Sequence, residues 1–90
     1  MHFEKCAHID VDTFDGDLLL MNLTTREVLV LNEAAGVLWA ALDLFSKRDE
    51  LLDLLQEALP NINPEEREAS LASVLQSLEA GGFITTRAEP

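Results

Sequence analysis

Apolar positions along this chain change period as it proceeds. From Ala7 to Asp12 they alternate, with Ile9 and Val11 separated by His8, Asp10 and Asp12, which predicts a half-buried strand. Asp15-Gly16 then supplies a turn, because glycine accepts positive φ without steric cost. A second strand is predicted over Asp17 to Asn22, carrying Leu18-Leu19-Leu20-Met21, and the turn-like Asn22-Leu23-Thr24-Thr25 leads to a third from Arg26 to Leu31. The last two, joined by a short polar connection, form an antiparallel hairpin. At Asn32 the period becomes helical. Its side chain can accept an N–H of the first turn, and Glu33 sets a negative charge at the positive end of the helix dipole. In the predicted helix Ala34, Leu38, Ala41, Leu42 and Phe45 make one stripe, and Val37, Ala40 and Leu44, with Trp39 nearby, make another. A helix apolar all round is normally central, so it is expected to be the pivot between the sheet and the later helices.

Ser46-Lys47-Arg48-Asp49 has the form of a capping box and predicts a second helix from Lys47 to Leu59, with Leu51, Leu52, Leu55, Ala58 and Leu59 inward and Pro60 as its stop. A third helix starts at Asn63 as N-cap, with Pro64 first and Glu65 and Glu66 in its opening turn. It carries Leu71, Ala72, Val74, Leu75 and Leu78 as an apolar stripe and ends at Gly81-Gly82, where a glycine can take the left-handed cap. Phe83-Ile84-Thr85-Thr86 is read as packing back in a short extended segment, and the ends, Met1 to Cys6 and Thr85 to Pro90, as loosely held. The expected fold is α+β, a three-stranded antiparallel sheet followed by three helices, of the winged helix-turn-helix type, in one domain over residues 1–90. No repeat or linker divides it.

One feature of the pattern does not fit a sheet with one wet face. Strands two and three are apolar at successive positions, so both faces are greasy, and three short helices cannot cover both. An exposed apolar surface is therefore expected near strand three, a common mark of a binding site. Terminal segments or a second copy of the chain are the other occupants this pattern allows.

Charge and chemistry narrow the choice. With 17 acidic and 6 basic residues the formal charge is -11, which repels phosphate backbones and anionic headgroups, so neither nucleic acid nor a membrane surface is an expected partner. The predicted third helix offers Arg67 among Glu65, Glu66, Glu68 and Glu79, the wrong balance for a DNA-reading helix. No apolar span reaches the roughly 18 residues a membrane helix needs, and no signal peptide is visible. The single Cys6 fits a reducing cytoplasm. Cys6 and His8, two apart on a predicted strand with His2 nearby, are too few for a metal site or a catalytic pair. Asp10, Asp12, Asp15 and Asp17 alternate like part of a calcium loop but lack its closing glutamate and its glycine, and read as a solvated acidic face. No cofactor is implied and no enzyme is expected.

Leu29-Val30-Leu31-Asn32-Glu33-Ala34-Ala35-Gly36-Val37-Leu38-Trp39 resembles the signature of PqqD-like proteins, in which a strand ends in Leu-Asn and a helix opens on small residues leading to an aliphatic residue and Trp. Asp17-Leu18-Leu19-Leu20-Met21-Asn22-Leu23-Thr24-Thr25 is similar to that family's first hairpin. Asp49-Glu50-Leu51-Leu52 and Leu78-Glu79-Ala80-Gly81-Gly82-Phe83-Ile84 are similar to its second helix and its closing segment. The likeness runs from Ile9 to Ile84. It departs at Asp43-Leu44-Phe45-Ser46-Lys47-Arg48, where a Gly-Thr or Gly-Ser turn is usual, and at Val28 and Leu29, where aromatic residues are often found. The resemblance implies a non-catalytic recognition element for a ribosomally made, modified peptide, of the lasso-peptide kind. It would bind the leader segment of the precursor and deliver it to a modifying enzyme or leader peptidase. The leader would add as an antiparallel strand to Arg26, Glu27, Val28, Leu29, Val30 and Leu31, against a helix wall of Leu71, Val74, Leu75 and Leu78, with Arg67 placed to pair with a leader carboxylate. That mode matches the apolar edge, since backbone bonds give affinity and pockets give specificity. The rival expectation is an acidic winged-helix interaction or dimerisation module in regulation.

Overall fold

The computed structural model describes residues 2–44 and 46–87, and within them the order of elements is β1 (His2–Lys5), β2 (Ile9–Phe14), β3 (Asp17–Asn22), β4 (Val28–Leu31), α1 (Glu33–Ala41), α2 (Arg48–Ala58), α3 (Pro64–Ala80) and β5 (Ile84–Arg87). β2, β3 and β4 form a three-stranded antiparallel sheet in that order, and three helices follow. The predicted first strand lies two residues further on, as β2, while the second coincides with β3. Asp15 and Gly16 both have positive φ, 51° and 86°, and close β2 onto β3 with Phe14 opposite Asp17, a two-residue hairpin whose twist suits the strands.

The third strand starts later than its apolar run implied. Arg26 takes φ 69° and donates its N–H to the Asn22 carbonyl at 2.7 Å, while Glu27 accepts from the Asn22 N–H at 2.9 Å. Arg26 is thus the left-handed residue of a bulge that closes the β3–β4 turn, and Arg26 and Glu27 lie outside β4. Asn22 holds this corner from inside. It is buried, its Oδ1 accepts the N–H groups of Thr24 and Thr25 at 2.9 and 3.1 Å, and its Nδ2 donates to the Gly82 carbonyl at 2.9 Å. One amide therefore ties the hairpin to the end of α3.

The helices begin where capping chemistry places them, with one exception. Asn32 Oδ1 accepts from Ala35 at 2.9 Å and Asn63 Oδ1 from Glu66 at 2.8 Å, as expected of both N-caps. Ser46 does not cap α2. Its hydroxyl lies 3.0 Å from His2 Nδ1 and its carbonyl accepts from Phe3, so the cap moves to Lys47, whose N–H donates to Glu50 Oε1 at 3.3 Å. At the end of α3 the N–H groups of Gly82 and Phe83 return to the carbonyls of Glu79 and Leu78, with Gly82 at φ 76°, a Schellman closure.

The core lies between the helices and one face of the sheet. Leu20 and Leu31 meet Ala35, Leu38 and Trp39 of α1, Leu51 and Leu55 of α2, and Leu71, Leu75 and Leu78 of α3. As expected, α1 is the pivot, packed against β3 and β4 on one side and α2 and α3 on the other, with Trp39 buried and Val37 half-buried. It is not covered all round, since Ala40 is exposed, and Leu44, just past its end, is 80% exposed. Phe45, placed on its first stripe, lies outside the described residues. Ala58 and Ala72, expected inward, are exposed. The chain ends also depart from expectation. β1 pairs with β5 in a separate antiparallel ribbon, His2 opposite Arg87 and Lys5 opposite Ile84, with Phe3, Phe83 and Ile84 buried beneath it. Lys5 fastens the ribbon to α1, its Nζ 2.9 Å from Asp43 and 4.3 Å from the Trp39 ring centroid. Met1 and residues 88–90 lie outside the described residues. Cys6 and His8 do not share a strand: Cys6 follows β1, and His8 has φ 62° in the bend before β2.

Candidate strand-addition site

β4 is an edge strand, paired with β3 at Leu18↔Leu31, Leu19↔Val30, Leu20↔Leu29 and Met21↔Val28, with no strand on its other side among the described residues. Which backbone groups look outward follows from the turn. Glu27 gives its carbonyl to Asn22, and in an antiparallel ladder bonded and non-bonded pairs alternate. Leu29 and Leu31 therefore bond to β3, whereas Val28 and Val30 turn their N–H and C=O groups to the open edge. The side chains divide in the same rhythm. Leu31 is buried and Leu29 half-buried against the core, while Val28 and Val30 are 50% and 59% exposed on the outer face. The exposed apolar surface expected near the third strand is thus present, and it coincides with an unpaired edge.

On the core side of that edge, where β4 runs into α1, an open depression of about 370 Å3 is lined by Asn32, Ala34, Ala69, Ser70, Ser73 and Val74. Its far wall is α3, but not the face the apolar stripe suggested. Leu71, Leu75 and Leu78 are buried in the core, and Val74 alone of the four reaches the depression. Ala69, Ser70 and Ser73 supply the rest of the wall. Reasoning from hydrophobic spacing passed over them because they are small and polar or nearly so, although short side chains leave a helix backbone open to close approach. Arg67 is half-buried, and its Nη2 donates to the Ile62 carbonyl at 2.8 Å, which folds the guanidinium onto the loop before α3; its Nε is buried without a hydrogen-bond partner. Arg26 and Glu27 are exposed in the turn that leads into the edge.

Among the described residues no group of three or more His, Cys, Asp or Glu side chains converges as a metal site, and no helix is long and apolar enough to cross a membrane. What remains is a backbone edge, two outward valines and a groove: equipment for holding an extended chain.

No curated protein matches the chain. Two solved structures share its fold. One, "TbiB1 in Complex with the TbiA(beta) Leader Peptide", superposes with a TM-score of 0.80 at 16% identity over 96% of this chain and 99% of that one. The other, "Lasso peptide synthetase B1 complexed with the leader peptide", gives a TM-score of 0.77 at 18% identity over 96% and 100%. The family model described as "Coenzyme PQQ synthesis protein D (PqqD)" matches residues 17–84, from the first residue of β3 to the first of β5, and the chain therefore belongs to the PqqD family.

Proposed function

We propose that the chain is a non-catalytic, cytoplasmic leader-binding protein, a single winged helix-turn-helix recognition domain over residues 1–90. It takes the leader of a ribosomally made precursor peptide, of the lasso-peptide type, as a strand added to β4. The observation that carries this reading is the open edge: Val28 and Val30 present unpaired backbone groups, and past the end of β4 a depression opens between Asn32 and Ala34 and the 69–74 stretch of α3. Membership in the PqqD family and the leader-peptide complexes named for both structural neighbours support it. In the bound state alternate leader side chains face inward, over Ala69, Ser70, Ser73 and Val74, and the intervening ones lie beside Val28 and Val30. Arg67 meets a leader carboxylate through the N–H groups that Ile62 does not occupy. The bound leader is then offered to a modifying enzyme or leader peptidase.

The test is a fluorescence-anisotropy titration with the N-terminal half of a short open reading frame encoded beside this protein. Saturable binding at micromolar or tighter affinity, competed by unlabelled peptide, is expected. Folded protein that binds no such peptide refutes the reading. A second copy paired edge to edge is the competing occupant of β4. Like charge, formally -11 on each chain, opposes it, and sedimentation showing a concentration-independent monomer is the expected result.

A further inference from the structure

The outer face of the sheet is left over once the edge and groove are accounted for. By the pairing register, Phe14, Leu19, Met21, Val28 and Val30 all point away from the helices. Phe14 is 73% exposed at the tip of the β2–β3 hairpin. Between it and Val30 lies a cleft of about 160 Å3, floored by Leu19 and flanked by the carboxylates of Asp12 and Asp17. Among the described residues neither carboxylate has an ion-pair partner; Asp12 accepts only the neighbouring Thr13 N–H.

We infer that this face docks a protein partner through an arginine or lysine set among apolar residues, and that the partner is the enzyme acting on the bound peptide. The inference rests on the leader-binding reading for the partner's identity. The cleft has the chemistry for such a side chain: an aliphatic floor for its methylene stem, an aromatic ring beside the charged head and two acids to neutralise it. Charge complementarity argues for a basic partner, since the chain has 17 acidic against 6 basic residues and the register sets Asp10, Asp12 and Asp17 on this face. The leader is the wrong occupant. As a strand beside β4 it lies at the opposite edge of the sheet from Phe14, which is two strand spacings, about 10 Å, from β4 itself, so its outward side chains reach Val28 and Val30 but not the ring or the acids of the hairpin tip. A second copy would set one acidic rim against another. The face also adjoins the edge through Val28 and Val30, so an enzyme seated there has the leader beside it.

Two substitutions separate this surface from the leader edge: Phe14→Ser removes the exposed ring and Asp17→Lys reverses a flanking charge. The enzyme encoded beside the leader is immobilised, and association of the wild-type and variant chains is followed with and without leader, at low and physiological salt. Each variant is expected to weaken association about tenfold or more, as loss of an aromatic or charged anchor does, with leader affinity in solution unchanged. Unchanged association of both variants overturns the inference. So does a wild-type chain that does not bind the enzyme at either salt concentration, or a dimer that Phe14→Ser dissolves. If the wild type ignores leader yet holds the enzyme through Phe14, the docking face stands and the leader-binding reading falls.

Discussion

Proline scanning of β4 separates the open edge from the ladder at the resolution of single residues. At Val30 proline removes an N–H that points away from β3, so no ladder bond is lost, and the side chain replaced is 59% exposed. Edge strands tolerate proline on that side, and the expected cost to folding is about 1 kcal/mol or less. At Leu29 proline removes an N–H bonded to β3 and a side chain packed on the core, at a cost of about 3 kcal/mol or more. Against a total stability on the order of 5–15 kcal/mol, that difference lowers the melting temperature by roughly 10 °C or more. Binding should rank the other way round in mechanism. Val30→Pro keeps the fold but leaves a leader carbonyl without its donor, a loss of about 1–3 kcal/mol, or roughly five- to a hundredfold in Kd. Val28→Pro should behave likewise. The assays are thermal unfolding by circular dichroism and leader anisotropy on the same preparations. If Val30→Pro is folded and binds leader as the wild type does, strand addition to β4 is wrong. If Val30→Pro and Leu29→Pro unfold alike, the assignment of outward groups to Val28 and Val30 is wrong.

Other substitutions probe the corner and the groove. Asn22→Ala breaks the bonds to Thr24, Thr25 and Gly82 at once and should cost about 2–4 kcal/mol in urea-induced unfolding, at roughly 1 kcal/mol for each bond. Gly82→Ala places a side chain at φ 76° with its Cβ 2.9 Å from Asn22 Nδ2, and should lower stability by about 1–2 kcal/mol in the same assay. A shift of less than about 0.5 kcal/mol in either would mean that the corner does not hold the hairpin to α3. Ser73→Trp fills the depression beside β4 from an exposed position and should reduce leader affinity about tenfold while the melting temperature stays within a few degrees. Unimpaired binding by that variant would remove the groove from the site.

The parts of the fold that were legible in the residues are those whose chemistry is local. β3, the Asp15-Gly16 turn, the N-caps Asn32 and Asn63 and the glycine closure after α3 each depend on neighbours a few positions away. The extended segment over Phe83 to Thr86 was anticipated and is largely β5, but β1 and its pairing with β5 escaped, because each strand is four residues long and gains its order only from a partner at the opposite end of the chain, His2 against Arg87. No periodicity in so short a segment announces that pairing. The bulge at Arg26 was hidden for another reason: a non-glycine residue in the left-handed region carries no compositional mark. For the site, the apolar edge was visible as an excess that three helices could not cover. The groove wall was misplaced because an apolar stripe was asked to serve the core and the ligand together. Leu71, Leu75 and Leu78 serve the core, and the surface beside the edge falls to Ala69, Ser70 and Ser73.

The ribbon of β1 and β5 means that the chain enters and leaves the domain at one point, His2 lying across from Arg87 on the same ladder. A covalent join there would span one strand spacing, about 5 Å, and disturb neither β4 nor the outer face of the sheet. The protein is therefore laid out like a cartridge. It could be carried in a loop of a larger enzyme, or its ends fused and the chain reopened at the exposed Asp15-Gly16 turn, with the peptide-holding edge kept in its present geometry.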